Sequence, residues 1–493
     1  MGQQVKHMKK YTSFTIIFFL CAVVLRISLC WYNPPQNSFD DHFTPIKLIL
    51  ETGDIPAKDA CWQCYQPPVF YYVSAIFVRA FLTMGINKIY LPKILQFINC
   101  FYAILTIYLI YLILNKLKIP DFSKILSFGI ICFLPRHIYM SAMHSNDTMT
   151  CLFVSLFIYL LLVAIENKFS FLSLFALSIS MTIAIFTKYT ALVVIPVAIV
   201  GFAAVFLYRV VTPSKKTFAV LILALLLPTI LFGVHLKNNI DNYGKPLPWN
   251  DNLLNTAVMQ SNDREGINYF DFKPWKYVNN PIVSPGQMSS FWTLIHSGMW
   301  FDTEPKFIFF ANPPSEWWLE YFSWLRGERK YPYIYDPPSK GIINNPLSSY
   351  SRLLGAELIT LGLIPLSFFI IGLYKTIFRT LIFRKGENSI DCTEICIFAS
   401  LLISNIAGII YLTIRAPVYS SIKALYFMNS LSAFSVFTGV GLSHIERNSH
   451  IKKIVALLLI SLFLFSCLHI IQICYALKSF SFFDIFYKNY KLI

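Results

Sequence analysis

Long apolar runs separated by short polar turns dominate this chain. A helix needs about 20 consecutive apolar residues to cross a hydrocarbon core of roughly 30 Å. Runs of that kind occupy 12–31, 91–114, 125–142, 148–165, 171–187, 189–208, 218–236, 353–374, 393–414, 424–443 and 453–475. The pattern predicts an all-α polytopic membrane protein of about eleven transmembrane helices.

Basic clusters orient these spans. With Lys6, Lys9 and Lys10 inside, eleven crossings place Lys116/Lys118/Lys124, Lys168, Arg209/Lys215/Lys216, Lys375/Arg379/Arg384/Lys385 and Arg447/Lys452/Lys453 on the cytoplasmic side. A further apolar stretch, 66–84, would reverse every later cluster if it spanned. It is therefore expected to lie along the outer surface, beginning at Pro67-Pro68, where proline suits a first helical turn. No small-residue cleavage site follows the first run, so that run reads as a retained anchor.

Two long external pieces remain. The first external loop, 32–90, belongs to an N-terminal transmembrane module, 1–236. The second, 237–352, separates it from a C-terminal transmembrane module, 353–493. Loops beyond about 12–15 residues are functional or disordered. The second loop carries Trp249, Trp275, Trp292, Trp300, Trp317, Trp318 and Trp324, which disordered segments lack, so a folded cap is expected there.

Composition sharpens this picture. The chain has 493 residues, 56% of them hydrophobic and only 13% charged, against the roughly 25% charge of soluble domains. Its net charge of +16 matches cytoplasmic Lys and Arg meeting anionic lipid headgroups, and no nucleic-acid partner is implied. Most of the 11 cysteines sit inside apolar runs as small buried hydrophobes. Cys61 and Cys64 instead occupy a polar loop, where a disulfide and free thiols are both open.

Four polar features fall on the same predicted face. They are Asp40-Asp41-His42, His144-Ser145-Asn146-Asp147, Thr187-Lys188-Tyr189, and Arg415-Ala416-Pro417-Val418-Tyr419 with Lys423 and Tyr426. Each has a plain structural use. Asn146 or Asp147 suits an N-cap for a helix beginning at Thr148, and Lys188 suits a snorkelling cation at a bilayer edge. Together they suit a phosphate-linked substrate: the cations hold the phosphate, and a carboxylate removes a proton from an attacking hydroxyl.

The same residues resemble the GT-C superfamily of polytopic glycosyltransferases, and within it glycosyltransferase family 39, the dolichyl-phosphate-mannose protein mannosyltransferases, with the related lipid A aminoarabinose transferases. Phe39-Asp40-Asp41-His42-Phe43 resembles the acidic pair of that family's first external loop, with Asp41 where Glu is common. Leu50-Glu51-Thr52-Gly53-Asp54-Ile55-Pro56 and Gln66-Pro67-Pro68-Val69-Phe70-Tyr71-Tyr72 are similar to the segments that follow it. Asn146-Asp147 and Thr187-Lys188-Tyr189 resemble a second acidic loop and a later basic turn. Lys423-Ala424-Leu425-Tyr426 is similar to a Lys-x-Arg-Tyr turn, with Leu425 in place of the arginine.

The resemblance implies a polyprenyl-phosphate sugar as donor and a lipid, glycan or protein hydroxyl as acceptor. It implies Asp40, Asp41 and Asp147 as catalytic acids, with Asp40 as the base of an inverting displacement. His42, Gln66, Lys188, Arg415, Lys423 and Tyr426 would contact substrate. Asp40 and Asp147 are the candidates for holding a divalent metal ion, a cofactor the resemblance leaves open. The implied setting is a bacterial inner membrane with the active site on its periplasmic side. Trp300, Asp302 and Glu304 are the cap residues expected to meet the acceptor. A secondary transporter and a lipid-linked glycan ligase or polymerase remain the competing readings. A transporter would place its ionisable groups near the bilayer midplane.

Overall fold

The computed structural model describes residues 2–33, 35, 42–208, 215–248, 269–275, 290–301, 349–382, 392–415 and 422–478. Asp40, Asp41, Trp249, Asp302, Glu304, Trp317, Trp318, Trp324, residues 416–421 and the side chain of Arg415 lie outside the described residues.

Each apolar run becomes helix. The first half of the bundle comprises α1 (Gly2–Tyr32), α4 (Leu91–Lys116), α5 (Asp121–Cys132), α6 (Pro135–Ser141), α7 (Asn146–Glu166), α8 (Phe171–Thr187), α9 (Val194–Leu207) and α10 (Lys215–Tyr243). Two helices between α1 and α4, α2 (Phe43–Thr52) and α3 (Val69–Thr83), belong to the first long loop. The second half comprises α11 (Phe291–Trp300), α12 (Ser349–Leu361), α13 (Leu363–Ile382), α14 (Cys392–Arg415), α15 (Ala424–Phe427), α16 (Leu431–Ser443) and α17 (Ser449–Lys478). No strand occurs among the described residues.

Among the described residues, eight helical segments are long and apolar enough to cross a membrane. The chain is a multi-pass membrane protein. The other three predicted crossings fall on the interrupted pair α5–α6, on the 17-residue α8, and on α10, which carries Pro228 in its interior.

The interruption has a clear cause. Pro135 has no N–H, so helical bonding cannot run through it, and the ladder stops at Cys132. An unpartnered backbone group in hydrocarbon is costly, so broken helices survive only where protein supplies partners. Here Arg26 of α1 donates to the Cys132 carbonyl at 2.9 Å and meets His137 Nδ1 at 2.8 Å, with both side chains fully buried.

The loop helices are shorter than the eight candidate crossings. α3 has 15 residues, about 22 Å at 1.5 Å per residue. Pro68 is its N-cap, so the helix begins one residue after the proline pair. Phe70, Tyr71, Ala75 and Val78 bury against Phe43, Ile46 and Ile49 of α2 and against Leu91 and Leu95 of α4. α2 ends at Gly53, whose φ of 82° is left-handed backbone that glycine adopts at no steric cost. The following turn is closed by a disulfide between Cys61 and Cys64, which settles the pairing left open by spacing alone.

In the second half, α13 and α16 touch backbone to backbone. A Cβ at Gly372 would collide with the Phe437 carbonyl oxygen, and one at Gly441 with the Phe368 carbonyl oxygen. Small residues permit such close approach where water supplies no hydrophobic drive between helices.

One expectation for the second long loop needs correction. α11 is not a surface platform: Trp300 is 1% exposed and seated over Gly362, and every residue of the helix except Trp292 is buried. Ten mostly apolar residues without charge are too short to span, so they gain most by packing inside the helical bundle. In this conformation Trp300 packs inside the bundle against Gly362 and presents almost no surface.

Candidate active site

One end of the bundle gathers the polar turns. At the start of α7, Ser145 takes the N-cap position, and its Oγ accepts from the Asp147 N–H at 3.2 Å. Helix therefore begins at Asn146, two residues before the expected start at Thr148, and neither Asn146 nor Asp147 is the cap. Freed from capping, the Asp147 carboxylate turns inward. Lys188 Nζ donates to its Oδ1 at 2.6 Å, and Ser145 Oγ donates to its Oδ2 at 2.7 Å.

Lys188 reaches this position because the chain extends there. α8 ends at Thr187, Lys188 has φ −161° and ψ 142°, and a 3-10 turn follows over Tyr189–Val193. Two neighbours pin the turn. Tyr189 Oη meets His235 Nε2 of α10 at 3.1 Å, and Asn429 donates to the Thr190 carbonyl at 3.4 Å. The Lys188 ammonium lies 5.6 Å from the centre of the Tyr426 ring, within cation–π range. Asn405 of α14 holds the Tyr426 carbonyl at 3.1 Å. Asp147 and Lys188 are 6% and 8% exposed, so this is a nearly dry ion pair.

The first loop joins the same end through aromatic contacts. His42 Nδ1 lies 3.1 Å from Tyr71 Oη, and the two rings stack at 6.0 Å. Phe43 stacks on His144 at 4.6 Å, and Phe70 lies 5.1 Å from the same imidazole. Burial, reinforced by the neighbouring His42, pushes the His144 pKa down to about 3, so its ring is neutral at ordinary pH.

The predicted residues thus divide. Asp147, Lys188 and Tyr426 meet directly. His42 contacts Tyr71 and Phe70, and Phe70 in turn packs on His144, three residues before Asp147. Gln66 begins the segment leading into α3, with a buried Oε1 that has no hydrogen-bond partner among the described residues. Lys423 is the half-buried N-cap of α15, three residues before Tyr426. Asp40, Asp41 and the Arg415 side chain lie outside the described residues.

The fold can now be compared with known proteins. An oligosaccharyltransferase of Archaeoglobus fulgidus tethered to an acceptor peptide matches with a TM-score of 0.50 at 11% identity, over 93% of this chain and 55% of that one. This chain has a GT-C fold. The apo form of the same archaeal enzyme gives a TM-score of 0.49 at 12% identity, over 93% and 56% of the two chains. ArnT from Cupriavidus metallidurans in the apo state gives 0.35 at 15% identity, over 88% and 78%. The chain spans about half the length of the archaeal enzyme it matches. No family model matches it, and no curated protein matches it by sequence. At these identities the likeness carries the GT-C fold and assigns no residue a role.

Several residues that position these turns were not singled out from sequence. Lys93, Gln96 and Asn99 lie along one face of α4. Lys93 Nζ donates to the carbonyls of Cys30 and Asn33 and to Gln96 Oε1. Gln96 donates to the carbonyls of Asn33 and Ala142, and Asn99 to those of Met143 and Ser145. These three side chains tie the end of α1 to the turn that presents Asp147. The signal was present as polar residues at i, i+3 and i+6 in an otherwise apolar run.

A metal ion fits the described residues poorly. Among them no three His, Cys, Asp or Glu side chains converge, and Asp147 has both carboxylate oxygens engaged by Lys188 and Ser145.

Proposed function

We propose that the chain is a membrane glycosyltransferase that moves a sugar from a polyprenyl-phosphate donor to an acceptor hydroxyl of a lipid, glycan or protein. The observation that carries this reading is the buried Asp147–Lys188–Tyr426 group, assembled from three separate turns at one end of a GT-C bundle. A stability role alone does not explain it, since burying an ion pair gains little over apolar packing.

In this reading the acceptor oxygen attacks the anomeric carbon as its proton passes to the Asp40 carboxylate. The bond from the anomeric carbon to the phosphate oxygen breaks with inversion, and its electron pair leaves on polyprenyl phosphate. Lys188 spends one N–H on Asp147 and keeps two for the phosphate. Asp147 fixes the ammonium in place, and Lys423 and Arg415 add charge from the neighbouring turn. Asp41 orients the acceptor. Gln66 and the Tyr71-bound His42 shape the wall beside it. The setting is a bacterial inner membrane, with the site facing the periplasm, where a Cys61–Cys64 disulfide is stable.

The test is transfer from a radiolabelled polyprenyl-phosphate sugar by purified protein. Asp40→Asn should lower the rate by at least about 10²-fold at unchanged expression, the low end for a general base. A near wild-type rate would remove Asp40 from the mechanism.

A further inference from the structure

Asn146 is fully buried, and neither its carboxamide oxygen nor its carboxamide nitrogen has a hydrogen-bond partner among the described residues. That is unusual on two counts. The great majority of buried polar atoms in native proteins are paired, and leaving both ends of one amide unpaired is expensive. Its neighbours sharpen the contrast. Ser145 and Asp147, on either side, have their polar side-chain atoms engaged, as does Thr148.

Packing does not explain it. An apolar side chain would fill the same place without the desolvation cost. Helix capping does not explain it either, because Ser145 has that role. What remains is a ligand that supplies both an acceptor and a donor.

We propose that Asn146 is a substrate-contacting residue that recognises the sugar of the lipid-linked donor through hydroxyl groups. This rests on the glycosyl-transfer reading above and names the part of the donor that this turn reads. Three observations favour a neutral polyol over a second charged group. The carboxamide is uncharged and presents one acceptor and two donors. The adjacent carboxylate is already neutralised by Lys188 at 2.6 Å. Asn146 is also bonded to Asp147, so a sugar held by its amide sits next to the cation that would take the phosphate. Two adjacent hydroxyls, one donating and one accepting, complete the amide. The phosphodiester of such a donor, fully ionised at neutral pH and with no proton to give, would leave the Asn146 oxygen unpaired.

The unliganded state bears the cost of the two unpaired atoms. Asn146→Leu should therefore raise the thermal midpoint of the ligand-free protein, while a structurally bonded asparagine would give a fall. Binding is read by thermal-shift titration of the full chain in nanodiscs. The probes are an undecaprenyl phosphate and a panel of undecaprenyl-phosphate sugars, including mannose, glucose and 4-amino-4-deoxyarabinose.

Wild type should bind at least one sugar-bearing lipid more tightly than the bare phosphate. Asn146→Leu and Asn146→Ala should bind the bare phosphate as wild type does. They should lose about tenfold of the sugar-dependent tightening, the equivalent of 1.4 kcal/mol. Asn146→Ser, which keeps a single hydroxyl, should fall between and guards against misfolding of the larger changes. Unaltered sugar preference in all three variants overturns the assignment, as does a fall in the midpoint of Asn146→Leu. Failure of wild type to bind undecaprenyl phosphate, with or without sugar, overturns the glycosyl-transfer reading itself.

Discussion

Removing the Lys188 ammonium strands a carboxylate. Asp147 is 6% exposed, and after Lys188→Met its only polar side-chain partner among the described residues is Ser145. At the observed 2.6 Å, the Coulomb attraction is about 6 kcal/mol with an effective dielectric of 20. Part of it offsets the desolvation of both groups, and breaking such a pair from one side costs about 3–5 kcal/mol. Spread over 493 residues, at roughly 2.1 cal/mol/K each, that loss lowers the thermal midpoint by about 3–5 °C. The double variant Asp147→Asn/Lys188→Met removes the stranded charge and should recover most of the loss. The assay is fluorescence-detected thermal unfolding of the four proteins in one detergent. A single Lys188→Met variant as stable as wild type, or a double variant no better than the single, would refute the buried-pair account.

Two other outcomes follow from the packing and the titration of the same fold. Gly441→Val should prevent the close approach of α13 and α16, since even a methyl there meets the Phe368 carbonyl; monodisperse yield and thermal midpoint should both drop sharply, by more than for Gly408→Val, which meets nothing nearby. Acid should destabilise the protein through His144. Its folded pKa of about 3 lies below the unfolded 6.5, so the unfolded chain binds the proton first and stability is lost as pH falls between those values. At pH 4.5, well below the unfolded value, the loss is on the order of 3 kcal/mol. His296, held down to about 4 by burial, acts in the same direction. His144→Phe should flatten the acid limb of a midpoint-against-pH curve; an unchanged limb would exclude the His144 contribution.

Much of this was legible in the chain. Every apolar run became helix, because length and hydropathy suffice to specify a crossing. Lys188, Asp147 and Tyr426 meet as the turn positions suggested, since topology alone brings the ends of neighbouring spans together. What sequence did not reveal depends on side-chain direction. Asn146 and Asp147 are equivalent as cap residues on paper; only the choice of Ser145 as cap separates an engaged carboxylate from an unpaired amide. Lys93, Gln96 and Asn99 read as isolated polar residues until the turn they support is in place. The aromatic content of 237–352 suggested an exposed binding face, yet composition cannot tell a tryptophan that waits for a ligand from one that fills a core. Cys61 and Cys64 had a spacing compatible with either redox state, and the local turn decided it.

The Arg26–Cys132 contact has a consequence for how the protein is made. The acceptor carbonyl is 106 residues downstream, which a ribosome working at roughly 5–20 residues per second reaches about 5–20 s later. Through that interval the leading helix carries a guanidinium whose presence in lipid is penalised by about 2.5–3.5 kcal/mol on insertion scales. Until α5 and α6 are made, that guanidinium lacks the Cys132 carbonyl and His137 imidazole that partner it in the folded chain.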